Sequence, residues 1–173
     1  CVACQEPIRG YELKAPCNHY YDKVCVLALF EASIRDESLY PPRCCQRRIP
    51  VHHAKHLMSD KAWAHFTRKG REYTTLHRIY CSNVKCGQFL GPQSETPEFF
   101  HCSAKGCGTS TCAKCKVSVP LPILHRCLPK TQEEDKAVLD LADREGWSRC
   151  PGCAQLIELN LGCYHMTCRC KTE

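Results

Sequence analysis

Apolar residues recur at helical spacing over residues 59–80. They follow one another at three-, four- and seven-residue steps, and they are Ala62, Trp63, Phe66, Tyr73, Leu76 and Tyr80. This spacing predicts a helix with Ser59 or Asp60 as its N-cap. Gly70 lies inside the pattern, and we expect it to be the point at which the helix can bend or split. Three histidines in or beside this segment have no cysteine nearby and are expected on the surface: His56, His65 and His77.

A second helix is predicted over residues 131–146. Thr131 and Glu134 form a capping box, and Gly146 fits the C-terminal stop of the helix. The apolar stripe is narrow and consists of Ala137, Val138, Leu141 and Ala142. Such a stripe indicates a helix that docks on a neighbouring module or on a partner. A plain linker is the alternative.

The remaining segments are short and carry no long apolar pattern. The longest apolar run, residues 24–30, has seven residues, which is too short to span a bilayer. No charged start followed by an apolar stretch marks a signal peptide, although the chain opens directly on Cys1, so this absence is weak evidence. We therefore expect no membrane partner.

The cysteine content suggests how a chain with so little apolar pattern is stabilised. The chain has 18 cysteines among 173 residues, a share that indicates either a disulfide scaffold or a metal-bound protein. Many of the cysteines are separated by only one to four residues, a spacing that strains a disulfide within the pair but suits two ligands of one ion. Two histidines, His19 and His125, lie in the same pattern. Zinc is therefore favoured over disulfides, which implies a reducing, intracellular compartment, cytoplasmic or nuclear.

Charge adds little to this hypothesis. The formal net charge is +6, and the Lys and Arg residues form no dense block. Nucleic-acid binding through zinc knuckles would need a basic stripe with interleaved aromatic residues, and the sequence shows none clearly. We therefore expect no nucleic-acid partner.

The first group of candidate zinc ligands lies within residues 1–50. It comprises Cys1, Cys4, Cys17, His19, Asp22, Cys25, Cys44 and Cys45. Eight ligands suffice for two tetrahedral ions. Asp22 is a harder ligand than cysteine, and a solvated loop acid is the alternative. Two neighbouring ligands on one ion are geometrically awkward, so one of Cys44 and Cys45 can be a bystander, with His52 or His53 in its place.

The order of these eight ligands resembles a RING finger, in which ligand pairs alternate between two ions. On that pattern one ion is held by Cys1, Cys4, Asp22 and Cys25, and the other by Cys17, His19, Cys44 and Cys45. Asp22 stands where the RING family usually has cysteine.

The second group of ligands lies within residues 81–128 and also suffices for two ions. Its pairing looks sequential, with Cys81, Cys86, Cys102 and Cys107 on one ion and Cys112, Cys115, His125 and Cys127 on the other. The segments between the ligands are short and rich in Gly and Pro. Knuckles and small hairpins are expected, with zinc supplying most of the folding free energy.

The third group has five cysteines, one more than a tetrahedral ion accepts. Cys150, Cys153, Cys168 and Cys170 suffice for one ion, which brings the expected total to about five zinc ions and leaves Cys163 spare. A free thiol with His165 two residues further on is a candidate nucleophile. From the spacing alone, a buried structural thiol is an equally good interpretation.

The succession of these groups resembles the RING-in-between-RING (RBR) ubiquitin ligases. The matching motifs span almost the whole chain and read "CVAC", "APCNHYYDKVC", "PPRCC", "RIYCSNVKCGQFLG", "GWSRCPGC" and "IELNLGCYHMTCRC". The resemblance implies a first RING-like finger over residues 1–50, an in-between-RING module over 81–128 and the N-terminal half of a second RING over 148–173, with helical linkers at 51–80 and 129–147. The fold class is thus a loop-rich series of small zinc-stabilised modules with short β-hairpins and a few α-helices, a cross-brace RING followed by two zinc-knuckle modules. The second zinc site of the family's second RING would need cysteines beyond the present end.

The resemblance also implies a mechanism. A ubiquitin-conjugating enzyme would dock on the first RING through Val2, Pro41 and Pro42, and Cys163 would take ubiquitin from it as a thioester. A lysine of a protein substrate would then attack that thioester, with His165 as general base. Glu173 stands at the position of the residue that orients this histidine in several family members, although it can equally be a simple solvated terminus. The alternative function is a non-catalytic zinc scaffold that binds a conjugating enzyme or another protein.

Overall fold

A computed structural model of the chain describes residues 1–120, 125–127, 132–158, 166–170 and 172–173, without the side chains of residues 132–135. The chain divides into two compact units, Cys1–Thr74 and Thr75–Glu173. Every described sheet is a two-stranded antiparallel hairpin. This confirms the predicted loop-rich fold of short hairpins and few helices. Over the same described residues, no helix has both the length and the apolar character needed to span a membrane.

The first unit combines two short hairpins with three α-helices. Its elements are β1 (Glu12–Lys14), β2 (Tyr20–Asp22), α1 (Lys23–Arg35), a 3-10 turn (Glu37–Leu39), β3 (Arg43–Cys44), β4 (Arg47–Arg48), α2 (Val51–Lys55) and α3 (Asp60–Thr74). Strand β1 pairs with β2, and β3 pairs with β4.

Aromatic packing between α1 and α3 forms the core of the first unit. The ring centroids of Phe30 and Phe66 are 5.2 Å apart, and Phe66 also contacts the rings of Tyr40 and Trp63. The Tyr73 hydroxyl donates a hydrogen bond of 2.6 Å to the Ile34 carbonyl and so fixes α3 to the end of α1. The first unit therefore has an apolar core in addition to its cysteine clusters.

Phe66→Ala is expected to destabilise the first unit by about 3–5 kcal/mol, because the substitution removes the ring that joins α1, α3 and Tyr40 and leaves a cavity. Phe66 is only 3% exposed. Urea unfolding followed by circular dichroism measures the change. Leu39→Ala, at a residue that is 47% exposed in the same unit, is the control and should stay within about 1 kcal/mol. Equal losses for the two variants would contradict this description of the core.

Helix α3 is shorter than the helix predicted over residues 59–80. The helix begins where expected, with the Ser59 hydroxyl accepting the Ala62 amide at 3.2 Å, but it ends at Thr74. Strand β5 (Arg78–Tyr80) follows, with Ile79 buried and Tyr80 exposed, and Leu76 lies exposed between the helix and this strand. The helix predicted from the apolar spacing therefore does not continue beyond Thr74. Gly70 does not split the helix; it is buried where a Cβ atom would collide with the Tyr40 ring.

The described part of the second unit contains three hairpins and one helix. Its elements are β5 (Arg78–Tyr80), β6 (Phe89–Pro92), β7 (Phe99–His101), β8 (Ser110–Cys112), α4 (Gln132–Arg144), β9 (Ser148–Arg149) and β10 (Leu156–Ile157). The strands pair β5–β6, β7–β8 and β9–β10. The described buried residues of this unit are mostly cysteines and small residues, so apolar packing contributes little to its stability.

Helix α4 agrees with the second predicted helix at its C-terminal end. Gly146 has a φ of +70°, and the Trp147 amide donates to the Ala142 carbonyl at 2.8 Å, which is the Schellman arrangement. Thr131, the predicted N-cap, lies outside the described residues. Of the predicted apolar stripe only Ala142 is buried, whereas Val138 and Leu141 are exposed.

Candidate functional site

Cysteine-rich clusters dominate the described structure. Five sets of four donor groups have their ligand atoms within 4.8 Å of one another, and the sets are the five that the spacing and the RING pattern predicted. They are Cys1/Cys4/Asp22/Cys25, Cys17/His19/Cys44/Cys45, Cys81/Cys86/Cys102/Cys107, Cys112/Cys115/His125/Cys127 and Cys150/Cys153/Cys168/Cys170. The structure thus brings together all twenty predicted ligands, while ligation itself stays a prediction.

The sulfur separations suit a tetrahedral zinc ion. The Sγ atoms of Cys86 and Cys102 are 3.7 Å apart, and those of Cys153 and Cys168 are 3.6 Å apart. Four sulfurs bound to one zinc at about 2.3 Å lie about 3.8 Å from one another, whereas a disulfide needs about 2.05 Å. The donor groups therefore fit zinc, and the 17 cysteines among the described residues are free thiols rather than disulfides.

Protonation within the clusters also favours a bound cation. Burial, together with hydrogen bonds to the neighbouring thiols, raises the pKa of the Cys153 thiol to about 12. Hydrogen bonds from the Thr172 side chain and backbone lower the pKa of Cys170 to about 6 in the same cluster. Four thiols so close together do not all ionise without a positive charge between them, and a divalent cation supplies that charge.

A type I′ turn brings both of the adjacent cysteines Cys44 and Cys45 into one cluster. Cys45 and Gln46 have φ values of +48° and +66°, and they form the two-residue turn between β3 and β4. This backbone lets both sulfurs face His19, whose Nδ1 lies 3.4 Å from Cys44 Sγ and 3.3 Å from Cys45 Sγ. Both cysteines thus belong to the cluster.

Neither proposed substitute lies in that cluster. His52 and His53 are exposed on α2, and their rings contact each other at a centroid distance of 4.2 Å with a tilt of 40°. A further contact to the cluster comes from Tyr21, a buried residue whose hydroxyl donates to Cys44 Sγ at 3.0 Å. Sequence reasoning missed Tyr21, since a tyrosine beside a ligand carries no spacing signal.

Asp22 makes defined contacts within its cluster, while its ligation of zinc stays a prediction. Its Oδ2 lies 3.2 Å from Cys4 Sγ, and its Oδ1 accepts the Cys25 amide at 2.8 Å. The bond from the Cys25 amide is the main reason why the pKa of the Asp22 carboxyl lies below its usual value. The group is therefore ionised at neutral pH and available to a cation.

In each of two clusters, a threonine lies two residues after a ligand. The Thr109 hydroxyl lies 3.3 Å from Cys107 Sγ, and the Thr172 hydroxyl lies 3.1 Å from Cys170 Sγ. In the Cys170 cluster, Arg169 also donates from Nε and Nη2 to Gln155 Oε1, at 3.2 and 2.5 Å. These contacts hold the ligand loops in place around each cluster.

The predicted catalytic residues Cys163 and His165 lie outside the described residues. Glu173 is described and is exposed. The three surface histidines His56, His65 and His77 are all exposed and belong to none of the clusters among the described residues, as expected.

The predicted docking surface is only partly present on the first unit. Val2, between the ligands Cys1 and Cys4, is 43% exposed, but Pro42 is fully buried and Pro41 is half-buried. Pro42 is thus a core residue, and its contribution to docking is excluded. Val24, which the sequence analysis did not single out, is 75% exposed at the start of α1, between Asp22 and Cys25.

Comparison with known proteins agrees with the order of the clusters. No family model matches the chain. It is 31% identical to the Arabidopsis thaliana protein named "ATP-dependent RNA helicase DEAH12, chloroplastic", over 98% of this chain and 10% of that protein. It is 33% identical to the Arabidopsis thaliana "E3 ubiquitin-protein ligase RSL1" over 124 residues, which are 64% of this chain and 29% of that protein. The chain therefore spans only about a tenth of the length of its helicase relatives and less than a third of that of the ligase.

Solved structures of Parkin also resemble the chain. The structure of Pediculus humanus Parkin bound to phospho-ubiquitin matches 97% of this chain and 58% of that chain, with a TM-score of 0.46 and 23% identity. The pParkin–pUb–UbcH7 complex matches 75% of this chain and 44% of that chain, with a TM-score of 0.46 and 25% identity. Taken together, the order of the five clusters and the sequence similarity to an RBR-type E3 ubiquitin-protein ligase show that this chain belongs to the RING-in-between-RING family.

Proposed function

We propose that this chain transfers ubiquitin through a thioester on Cys163. The observation that carries the proposal is that each of the five clusters already offers four donor atoms and that together they contain every other cysteine of the chain. A tetrahedral zinc ion needs no fifth ligand. Cys163 is therefore left available for chemistry in a chain whose relatives include an E3 ubiquitin-protein ligase.

Each cluster would hold one Zn²⁺, about five in all. Bound zinc would act as a structural cross-link, because all four donors of each cluster come from the protein and no open position remains for a substrate. Free thiols in such numbers persist in a reducing compartment, so we propose an intracellular location.

The transfer consists of two balanced acyl exchanges. The Cys163 thiolate attacks the carbonyl carbon of the thioester between ubiquitin and a conjugating enzyme, and the thiolate of that enzyme leaves. The amine of a substrate lysine then attacks the new thioester, an isopeptide bond forms, and the Cys163 thiolate leaves. His165 takes the proton that the amine loses, since its unperturbed pKa lies near neutrality. Glu173 would orient His165.

The first unit would bind the conjugating enzyme through Val2 and Val24. Both are exposed apolar residues, and each lies between two candidate ligands of the Asp22 cluster. The Val2 amide donates to the Tyr20 carbonyl at 2.8 Å, which ties the Cys1–Cys4 loop to the strand that leads into α1. Ligands on both segments thus present the two valines on a fixed surface.

Val24→Asp is expected to slow the discharge of ubiquitin-charged UbcH7 by about tenfold or more, because an acid would replace an apolar contact at the docking surface. A gel assay of the UbcH7–ubiquitin thioester measures the rate. UbcH7 is the probe because it is the conjugating enzyme in one of the similar structures.

The matched control is Val84→Asp in the second unit, where the valine is 95% exposed on the Cys81–Cys86 loop. Both substitutions add one charge at an exposed valine. Because Val84 lies outside the proposed docking surface, this variant should discharge UbcH7 at the unchanged rate. Equal effects of the two variants would contradict docking on the first unit.

A further inference from the structure

Asp22 belongs to two structures at once. Its Oδ1 accepts the Cys25 amide at 2.8 Å, and the residue is the N-cap of α1, with extended backbone angles. Its Oδ2 points to the ligand cluster and lies 3.2 Å from Cys4 Sγ. A cysteine at this position would bind metal, but its sulfur would be a poor acceptor for the helix amide. The carboxylate performs both tasks with separate oxygens.

The Asp22 cluster is also the one described cluster without a buried ligand, although the Cys17/His19/Cys44/Cys45 cluster has two exposed ligands to its one. Cys4 is exposed, and Cys1, Asp22 and Cys25 are half-buried. Each of the other four described clusters contains at least one buried cysteine, and Cys150, Cys153 and Cys168 are all buried in one of them. A carboxylate is moreover a harder ligand than a thiolate and holds zinc less firmly. A bound metal would therefore be held least firmly here, and no buried ligand would shield it from competing chelators.

The residues of the docking surface are neighbours of these same ligands. Val2 lies between Cys1 and Cys4, and Val24 lies between Asp22 and Cys25. A metal in the cluster would link the Cys1–Cys4 loop to the first turn of α1. Loss of that metal would remove this link while Asp22 still caps the helix, so the loop bearing Val2 would loosen, held to β2 by the hydrogen bond from the Val2 amide to the Tyr20 carbonyl.

We propose that Asp22 makes the first cluster the exchangeable metal site of this chain, and that occupancy of this one site decides whether the Val2–Val24 surface can bind a conjugating enzyme. The second half of the proposal rests on the proposed function, whereas the first half concerns metal binding alone.

Two substitutions separate the tasks of Asp22. Asp22→Ser keeps a side-chain oxygen for the cap but removes the anionic ligand. We expect the purified Asp22→Ser variant to contain one zinc ion fewer than the unmodified chain and to retain the slow hydrogen exchange of the Cys25 amide. Asp22→Cys keeps an anionic ligand but removes the oxygen. We expect its zinc content to stay unchanged, release of the first ion to EDTA to slow by about tenfold or more, and the Cys25 amide to exchange faster.

Alkylation mass spectrometry identifies which cysteines become free as the unmodified chain loses its first zinc ion to EDTA. We expect Cys1, Cys4 and Cys25 to react before the cysteines of the other clusters. Earlier reaction of any other cluster, or equal rates of first release from the unmodified chain and Asp22→Cys, would overturn the exchangeable site.

Binding of UbcH7, measured by titration calorimetry, tests the second half. The Asp22→Ser variant should bind about tenfold more weakly or worse, a loss of about 1.4 kcal/mol, and Asp22→Cys should bind as tightly as the unmodified chain. Unchanged binding by Asp22→Ser after loss of one zinc ion would overturn the link between metal and docking. Failure of the fully loaded, unmodified chain to bind UbcH7 would instead contradict the proposed function and leave the order of metal release as the test of Asp22.

Discussion

Replacing Cys163 by serine is expected to trap ubiquitin on this chain as an oxyester. The ester should resist thiol reductants, which cleave the corresponding thioester, and it should break in mild base. Transfer of ubiquitin to lysine should fall by about 10³-fold or more, because the proposed mechanism passes the acyl group through this residue in both steps. A non-reducing gel of the chain after reaction with charged UbcH7 shows the adduct, and a reducing gel distinguishes the two esters.

Zinc analysis provides the control for this variant. The Cys163→Ser chain should contain as much zinc as the unmodified chain, because the five clusters have their four donors without Cys163. Cys163→Ala should bind UbcH7 and form no adduct. If Cys163→Ala transferred ubiquitin at the unchanged rate, the chain would be a scaffold that presents the conjugating enzyme, and the thioester mechanism would be wrong.

Removal of metal is expected to unfold the second unit almost completely. Structural zinc contributes about 10–16 kcal/mol of apparent binding free energy at each site, and this unit has little apolar core to compensate for its loss. The described residues Ile79, Cys102 and Cys112 are buried, but two of these three are candidate ligands. Hydrogen exchange with EDTA and a reductant present should show loss of protection throughout strands β5–β10.

The first unit should keep partial protection under the same conditions. Its α1–α3 packing, with Phe30 against Phe66 and Tyr73 bonded to Ile34, does not need metal to bury apolar surface. Reductant without EDTA should change neither unit, since the described cysteines are thiols. Unfolding by reductant alone, together with a zinc content near zero, would favour disulfides and contradict the metal clusters.

Ligand spacing was the most informative part of the sequence. Short cysteine separations are local properties, and a loop of two to four residues between ligands leaves few conformations that bring both to one ion. Pairing of distant ligands, such as Cys17 with Cys44, is not local and came from the resemblance to RING fingers. The structure places both sulfurs around His19.

The predictions from sequence failed where tertiary packing, rather than spacing along the chain, determines the structure. Helix α1 went unnoticed as a helix because the apolar run of residues 24–30 is continuous and shows no period. Its buried positions, Val26, Phe30, Ser33 and Ile34, are distinguished from the exposed ones only by packing against the rest of the first unit, including α3 and the β1–β2 hairpin. Pro42, predicted on the docking surface, is buried in the core of the first unit.

The identity and short separations of the Cys and His residues already indicated the metal-ligand clusters of this protein and the family to which it belongs. The folded structure alone revealed that Cys44 and Cys45 face one histidine, since this requires the left-handed turn between β3 and β4. It also revealed that Asp22 serves helix and cluster together. In both cases a local turn or helix cap directs a side chain toward a partner distant in sequence, His19 or Cys4, and spacing along the chain does not express that direction.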